Sequence, residues 1–411
     1  MDLEWWQIIL GVIVGLFLLM VLVIVHELGH AIAAIRNGVE VEEFGLGFPP
    51  RAKILGKIRI PAGKKFREVQ EKNGKTLLTI NWLLPLGGFC KMKGESDDAR
   101  GKGTYGAALF WAKTKILFAG VMMNLVAAMV IFSILALTGM PKIFASQFAI
   151  AADNYGDNGT VAVVRVVENS PAEKAGIKKG DVITEVATIA PEGYSATTHE
   201  IHMTSDLSDL TKSHAGEKVI VGVTRNGQDL AANGLSVTLA KNSATGALGV
   251  VTEQKTNATI RATWSAPIVG VVNTLQFIWM TLVGLVGLLG NLVTGLVGLV
   301  VHNPDAGAQL GAAGDSVAGP VGILGNIFPH ALMAGPTQLF WLMGIISLTL
   351  TVMNLLPIPG LDGGRWALTA WYHARKKPLT KEKEEKIVGN GMLVLFALII
   401  LITITDVWKM F

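Results

Sequence analysis

Charged residues are scarce in this chain. Asp, Glu, Lys and Arg make up 16% of its 411 residues, against roughly 25% in soluble domains. Apolar residues make up 51%, and the mean hydropathy is +0.47. The single cysteine, Cys90, excludes an internal disulfide framework and a zinc site built from cysteines. The composition therefore predicts a membrane protein in which any metal site uses histidine and carboxylate ligands.

Several apolar runs approach the length that crosses about 30 Å of hydrocarbon. The first run follows acidic Asp2 and Glu4, not the basic start of a cleavable signal, and no small-residue cleavage site follows it. We expect it to remain as a transmembrane helix, with Trp5 and Trp6 at its outer interface. Further spans are expected at residues 115–138, 338–358 and 388–406. The fold class is then a polytopic α-helical membrane protein with about four transmembrane helices.

Basic residues cluster in two stretches between the expected spans. Residues 36–115 carry 16 Lys and Arg against 8 Asp and Glu, and residues 365–386 are also basic. By the positive-inside rule, both stretches face the cytoplasm, which predicts a multi-pass protein in contact with membrane lipid. The net charge of +4 is explained by these topological markers, so we expect no nucleic-acid partner.

A soluble insertion is expected between the second and third spans, at residues 139–264. Within it, residues 161–189 alternate apolar positions and then open a short helix at Ser170 and Pro171, with a stop at Gly176. The segment "SPAEKAGIKKGDVI" resembles the PDZ domains of bacterial proteases. The resemblance implies an extracytoplasmic α+β PDZ domain over 155–255, which would either bind a peptide ligand by strand addition or only restrict access.

The first apolar run ends in His26, Glu27, Leu28, Gly29 and His30. Helical residues four apart share a face, so His26 and His30 can bind one Zn²⁺ while Glu27 reaches water at the metal. Core histidines bonded to backbone carbonyls are the alternative. Ionisable groups within a membrane span usually serve a function, which favours a metallohydrolase site.

A catalytic zinc site needs a third protein ligand. Glu40, Glu42 and Glu43 follow the histidines closely, but they lie in the basic stretch and are expected to be exposed. Asp362 in "NLLPIPGLDGG" is the stronger candidate. Pro357 and Pro359 break the preceding helix and place Asp362 at a membrane depth similar to that of the histidines.

Taken together, the motifs resemble the site-2 protease family of intramembrane metalloproteases, of the bacterial regulator-of-sigma-E protease type. The similarity rests on "HELGH", "EFGLGFPPR", "LPLGGFCKMKGE", "FAGVMMN", "AGPVGI" and "NLLPIPGLDGG". It implies zinc ligands at His26, His30 and Asp362, with Glu27 as the catalytic base. It further implies a location in the bacterial inner membrane, a membrane re-entrant β element at "LPLGGFCKM" and substrate-binding positions, which are Gly87, Gly88, Asn124 and Asn354.

The expected organisation has an N-terminal membrane half at 1–138, the PDZ domain, an interfacial or re-entrant apolar helix at 266–301 and a C-terminal membrane half at 318–411, with a flexible loop at 303–318. The expected function is that of an intramembrane zinc endopeptidase acting on single-span transmembrane proteins, such as an anti-sigma factor or a signal-peptide remnant. A catalytically silent PDZ scaffold and a metal transporter are the alternatives.

Overall fold

The structure is a computed structural model. It describes residues 3–63, 75–96, 99–144, 146–156, 159–188, 197–225, 227–231, 234–241, 247–256, 258–301, 307, 311 and 319–410. The chain divides into two compact units. The first comprises residues 1–132 and 274–411, and the second comprises residues 133–273.

Ten α-helices occur in the described residues. They are α1 (Trp5–Arg36), α2 (Phe110–Thr138), α3 (Pro171–Lys174), α4 (Thr204–Ser213), α5 (Ala266–Val300), α6 (Pro320–Gly322), α7 (Phe328–Met333), α8 (Pro336–Leu355), α9 (Asp362–Ala374) and α10 (Lys381–Met410). The described strands are β1 (Val41–Ile58), β2 (Thr76–Met92), β3 (Met140–Pro141), β4 (Thr160–Val166), β5 (Val182–Thr188), β6 (Thr197–Glu200), β7 (Lys218–Arg225), β8 (Gln228–Asp229), β9 (Leu235–Thr238), β10 (Val250–Thr256) and β11 (Thr259–Ile260).

Five of the described helices are long and apolar enough to cross a membrane. They contain the segments Trp5–Arg36, Phe110–Thr138, Ala266–Gly295, Pro336–Leu355 and Lys381–Ile404. Four of them correspond to the four runs expected to span, although α8 ends at Leu355 and leaves out residues 356–358 of its run. The fifth, α5, is one unbroken helix of 35 residues, and its expected interfacial or re-entrant placement stays a prediction. The expected loop at 303–318 lies outside the described residues, apart from 307 and 311.

Strands β1 and β2 form a two-stranded sheet in the first unit, and β1 pairs with two different stretches of β2. Its first half pairs with the end of β2, for example Phe44 with Cys90, and also with the start of β2, for example Phe44 with Leu78. Its second half pairs with the start of β2, as in Lys57 with Leu77. The sheet shares a buried apolar cluster with the last turns of α1, so it is fixed beside the histidines.

The double pairing of β1 corrects one expectation from the sequence. Glu43 was expected to be exposed, but it is only 7% exposed. Its carboxylate accepts hydrogen bonds from the Arg51 guanidinium and from the Thr79 hydroxyl, the latter at 2.7 Å. The expectation was wrong because the start and the end of β2 flank the first half of β1 and bury Glu43. The basic composition of the stretch does not reveal this pairing.

The second unit is built on a seven-stranded sheet. Strands β10, β4, β5, β7 and β8 follow one another in that order, while β6 pairs with β5 and β9 pairs with β7. Helix α3 begins where expected, with the Ser170 hydroxyl accepting from the Glu173 amide, and the chain turns at Gly176, where φ is +83°. Apolar residues of the sheet and of α4 form its core. The PDZ assignment itself stays a prediction.

Candidate metal centre

Helix α1 brings His26 and His30 to the same face, one turn apart. The two rings meet edge to face, with their centroids 4.7 Å apart, and their Nε2 atoms are separated by 3.1 Å. His30 is 6% exposed. This part of the site follows directly from the helical period, since residues i and i+4 lie on one face of an α-helix.

Contacts to α2 orient both imidazoles. Nδ1 of His30 lies 2.8 Å from the carbonyl oxygen of Ile116, which accepts only, so Nδ1 carries the proton and Nε2 keeps a lone pair. Nδ1 of His26 lies 3.3 Å from the Asn124 amide, whose Oδ1 has no hydrogen-bond partner. Turning that amide over would let Oδ1 accept from Nδ1 of His26. Both Nε2 atoms would then be available to a metal ion.

Asp362 is delivered to the histidines by the turn between α8 and α9. Helix α8 ends at Leu355, just before Pro357, and Asp362 is the first residue of α9. The turn requires glycine, because a Cβ on Gly364 would lie 1.9 Å from the carbonyl oxygen of Ile358. The end of α8 before Pro357 confirms the expected break at the prolines. The glycines that follow Asp362 let α9 fold back against the end of α8.

The three side chains form a compact triangle. Oδ2 of Asp362 lies 3.1 Å from Nε2 of His26 and 3.2 Å from Nε2 of His30. Donor atoms around a tetrahedral zinc ion are separated by about 3.3–3.6 Å, given metal–ligand bonds of about 2.0–2.2 Å. The observed triangle is only slightly tighter than this. Among the described residues, His26, His30 and Asp362 form a group of potential metal ligands whose donor atoms all lie within 4.8 Å of one another.

The electrostatics of the triangle also fit a cation. The buried Oδ2 of Asp362 faces Nε2 of His26 and Nε2 of His30, and it has no other hydrogen-bond partner among the described residues. Three electron-rich atoms at this spacing repel one another unless a positive charge lies between them. A divalent cation removes that repulsion, and neutral imidazole with carboxylate is a donor set that suits zinc.

Glu27 lies beside this triangle and next to the end of β2. Its carboxyl group interacts with His26, His30 and Asp362, and the backbone amide of Cys90 lies against it. A Cβ on Gly88 would come within 4.0 Å of Cγ of Glu27. Because position 88 is glycine, no side chain of β2 at that position covers Glu27, the predicted catalytic base.

The remaining predicted positions are distributed differently. Asn124 lies at His26, as described above, so its contact is to a candidate ligand. Asn354 is in the last turn of α8 and is half-buried, and Gly87 adopts a φ of +140° in β2. Sequence reasoning missed Gly120, where a Cβ would lie 2.3 Å from Nε2 of His30. The sequence did contain a signal for it: within "FAGVMMN", Gly120 is a small residue one helical turn before Asn124.

Comparisons with known proteins agree with this chemistry. The model of peptidase family M50 matches residues 14–398. A protein of Clostridium perfringens that is named as a zinc metalloprotease is 28% identical over 396 residues, which are 96% of this chain and 98% of the relative. A similarly named protein of Clostridium acetobutylicum is 29% identical over 400 residues, 97% of each chain. The zinc metalloprotease RasP of Shouchella clausii is 30% identical over 250 residues, 59% of this chain and 50% of RasP. With the family match covering nearly the whole sequence, the chain belongs to peptidase family M50, the site-2 protease family, and is a membrane zinc metalloprotease.

Proposed function

We propose that the protein hydrolyses peptide bonds within or near the transmembrane segment of single-span membrane proteins, in regulated intramembrane proteolysis. The proposed zinc ligands are His26, His30 and Asp362, and Glu27 is the proposed catalytic base. The observation that carries the proposal is the convergence of three electron-rich atoms, 3.1–3.2 Å apart, at the end of a helix apolar enough to span a membrane. Such a costly arrangement at membrane depth indicates a reaction site.

The proposed chemistry divides between the metal and the protein. Zinc, when bound, supplies a Lewis acid that acidifies water and polarises the scissile carbonyl. The Glu27 carboxylate then accepts a proton from the attacking water and donates it to the leaving amide nitrogen. Ile116 holds His30 in the tautomer that a metal requires, and Asn124 would do the same for His26 with its amide turned so that Oδ1 faces Nδ1 of His26. The role proposed here for Asn124 is therefore to orient His26, and Asn354 is the asparagine left as a substrate-binding candidate.

A helical substrate must be unwound before its amide bonds can react, because helical hydrogen bonds shield them. We propose that the end of β2, at Gly87 and Gly88, binds the substrate as an added strand and satisfies the backbone groups that unwinding frees. The position of Gly88 next to Glu27 supports this proposal. A substrate strand at β2 would lie within reach of the base.

The second unit is proposed to be a PDZ domain on the extracytoplasmic side. Supporting features are the edge position of β10 in the sheet and a cavity of about 420 Å³ between β10 and α4, lined by Leu248, Val250, Thr204 and Ser208 among others. An extended peptide can add to a strand at the edge of a sheet. The distribution of basic residues in the sequence supports the cytoplasmic assignment of residues 36–115 and 365–386 in a bacterial inner membrane.

The test measures zinc content and cleavage of a single-span reporter by the purified full chain in detergent. We expect about one zinc per chain, with cleavage lost on chelation and restored by zinc. Glu27→Gln should abolish cleavage with zinc retained, whereas Asp362→Ala should lower both. Glu42→Ala, at an exposed position near the histidines in sequence, is the matched control and should change neither.

Three outcomes would contradict the proposal. Cleavage by Glu27→Gln would exclude the assigned base. Zinc binding without cleavage of any membrane reporter by the unaltered chain would instead favour a scaffold or a transporter. A zinc content unchanged in Asp362→Ala would place the third ligand elsewhere in the chain.

A further inference from the structure

Arg365 lies one turn beyond Asp362 on α9, and its guanidinium group makes three kinds of contact. Nε donates to Oε1 of Glu384 at 3.1 Å, and Nη2 donates to the backbone carbonyl oxygen of Glu95. The guanidinium carbon also lies 4.9 Å from the centroid of the Tyr105 ring. These partners belong to α10, to the segment after β2 and to the segment before α2, so one side chain connects α9 to three other parts of the first unit.

The environment of these contacts makes them strong. Glu384 is 7% exposed, and Tyr105 is fully buried. A guanidinium group held between a carboxylate, a carbonyl oxygen and an aromatic face is fixed in direction, because its donors form a planar fork. Removing one member of a buried ion pair also leaves the other charge in an unfavourable environment. The arrangement therefore resists movement of the first turn of α9 relative to α10.

That resistance matters because the candidate ligands come from different helices. His26 and His30 share α1, whereas Asp362 is on a separate helix of 13 residues. Further along α9, Nε1 of Trp366 donates to the Thr114 hydroxyl at 3.1 Å, and the His373 ring stacks on Phe110 at 4.4 Å. Both of these contacts join α9 to α2. Neither of them joins α9 to α10, whereas the Arg365–Glu384 pair does.

A cavity of about 590 Å³ adjoins Asp362 on the side of α10. Its lining comes from α9, from the first turns of α10 and from the segment after β2, and includes Arg365, Glu384 and Glu95. Close packing is therefore incomplete on this side of the ligand. The hydrogen bonds of Arg365 join all three parts of the cavity wall and hold them at a fixed separation.

We propose that Arg365 is a positioning residue that sets the distance of Asp362 from His26 and His30 and so raises the affinity of the site for zinc. The proposal rests on the ligand set of the proposed function. Partners of this kind, which orient a ligand without touching the metal, typically change metal affinity by about 10–100-fold when removed.

The experiment compares zinc affinity among variants of the full chain in detergent, by competition with a chelator of known affinity. Arg365→Met, which keeps the aliphatic length and removes the donors, should bind zinc about 10–100-fold more weakly. Arg365→Lys should be intermediate, because an ammonium group can pair with Glu384 but lacks the fork that also reaches Glu95. Arg375→Met is the matched control. Arg375 lies at the far end of α9, 4.0 Å over the exposed Trp371 ring, and its loss should leave zinc affinity unchanged.

A second measurement separates positioning from general stability. Zinc raises the midpoint of thermal unfolding in proportion to the logarithm of its binding strength, so the zinc-induced shift should be smaller in Arg365→Met. Equal destabilisation of the metal-free and zinc-loaded forms, with unchanged zinc affinity, would overturn the proposal. Glu384→Gln, which keeps the shape of the partner, should weaken zinc binding in the same direction and carries the test if Arg365→Met does not fold.

Asp362→Ala distinguishes this proposal from the function on which it rests. Unchanged zinc affinity in Asp362→Ala would overturn the ligand set and the positioning role together. Loss of zinc in Asp362→Ala with normal affinity in Arg365→Met and Glu384→Gln would overturn the positioning role alone.

Discussion

Gly120 lies directly against the imidazole of His30. A methyl group on its α-carbon would be 2.3 Å from Nε2 of His30 and 2.8 Å from Nε2 of His26. These are the two atoms that would bind a metal ion. The absence of a side chain at position 120 thus keeps open the space in which the three candidate ligands meet.

Gly120→Ala should therefore lose zinc and proteolysis together. The added methyl group cannot fit unless α2 or the histidines move, and a displaced ligand lowers metal affinity by at least about tenfold. Zinc content and cleavage of a membrane reporter are measured on the purified chain. The matched control is Gly389→Ala in α10, where nothing lies within 4 Å of the new Cβ. Normal zinc binding by Gly120→Ala would show that the histidines do not hold the metal at this position.

Asn124 provides a second test, of ligand orientation against substrate binding. If its amide oxygen accepts from Nδ1 of His26, Asn124→Asp keeps an acceptor and should retain zinc, whereas Asn124→Leu should bind zinc about 10–100-fold more weakly. The measurements are zinc affinity and the separate values of kcat and KM for a reporter. A raised KM at unchanged zinc affinity in Asn124→Leu would return Asn124 to the substrate path.

The parts of the site that the sequence predicted are those set by local geometry. His26 and His30 meet because the helical period brings residues four apart together. Asp362 could be proposed from its position at the end of an apolar run and after two prolines. Each of these signals lies within a short stretch of sequence, so no knowledge of how the helices pack was needed.

Gly120, Ile116 and Arg365 depend on packing between distant parts of the chain. Nothing in the sequence around Arg365 indicates that Glu384 and Glu95 converge on it, since the basic stretch at 365–386 reads equally well as a topological marker. Glu43 shows the same limit, because its burial arises from the double pairing of β1. Alternation along one strand cannot reveal which second strand covers it.

Asp181 makes the second unit sensitive to acid. Burial opposes its charge, but two hydrogen bonds from Arg225, at 2.6 and 2.8 Å, and one from the Lys178 amide outweigh burial and hold the pKa of Asp181 below its usual value. A lowered folded-state pKa gives stability that is present above the unfolded value of about 3.9 and is lost as the pH falls through the folded value. Asp181→Asn should remove this contribution.

We expect Asp181→Asn to lower the free energy of local unfolding of β5 and β7 by about 1–3 kcal/mol at neutral pH. The difference in this free energy between Asp181→Asn and the unaltered protein should shrink as the pH falls below about 4. Hydrogen exchange of these strands in the full chain measures both quantities. Asp229→Asn is the control, since exposed Asp229 accepts one bond from Thr224 at 2.8 Å. A difference that persists unchanged at low pH would contradict the role of the charge.

Removing residues 159–256 should change which substrates are cut more than it changes the chemistry. All four residues of the proposed site belong to the other unit of the chain. The flanking segments also hold together without the deleted part, because β3 pairs with β11 and the Tyr155 amide donates to the Arg261 carbonyl oxygen at 3.0 Å. The chain can be rejoined there with a short glycine linker.

Two reporters with the same transmembrane segment, one carrying a folded outer domain and one without it, are compared on the intact and deleted enzymes. If the unit restricts access, the deletion should let the bulky reporter be cut while the short one is cut at a similar rate. Ser208→Trp fills the cavity between α4 and β10 and separates restriction of access from peptide binding. If the unit only restricts access, this variant should cut both reporters at the rates of the unaltered enzyme. If the unit acts by binding a peptide in the cavity, the variant should show the same change in the two rates as the deletion. Zinc content verifies that the membrane unit remains folded. Loss of cleavage of the short reporter in a zinc-replete deletion would show that the second unit is needed for catalysis itself.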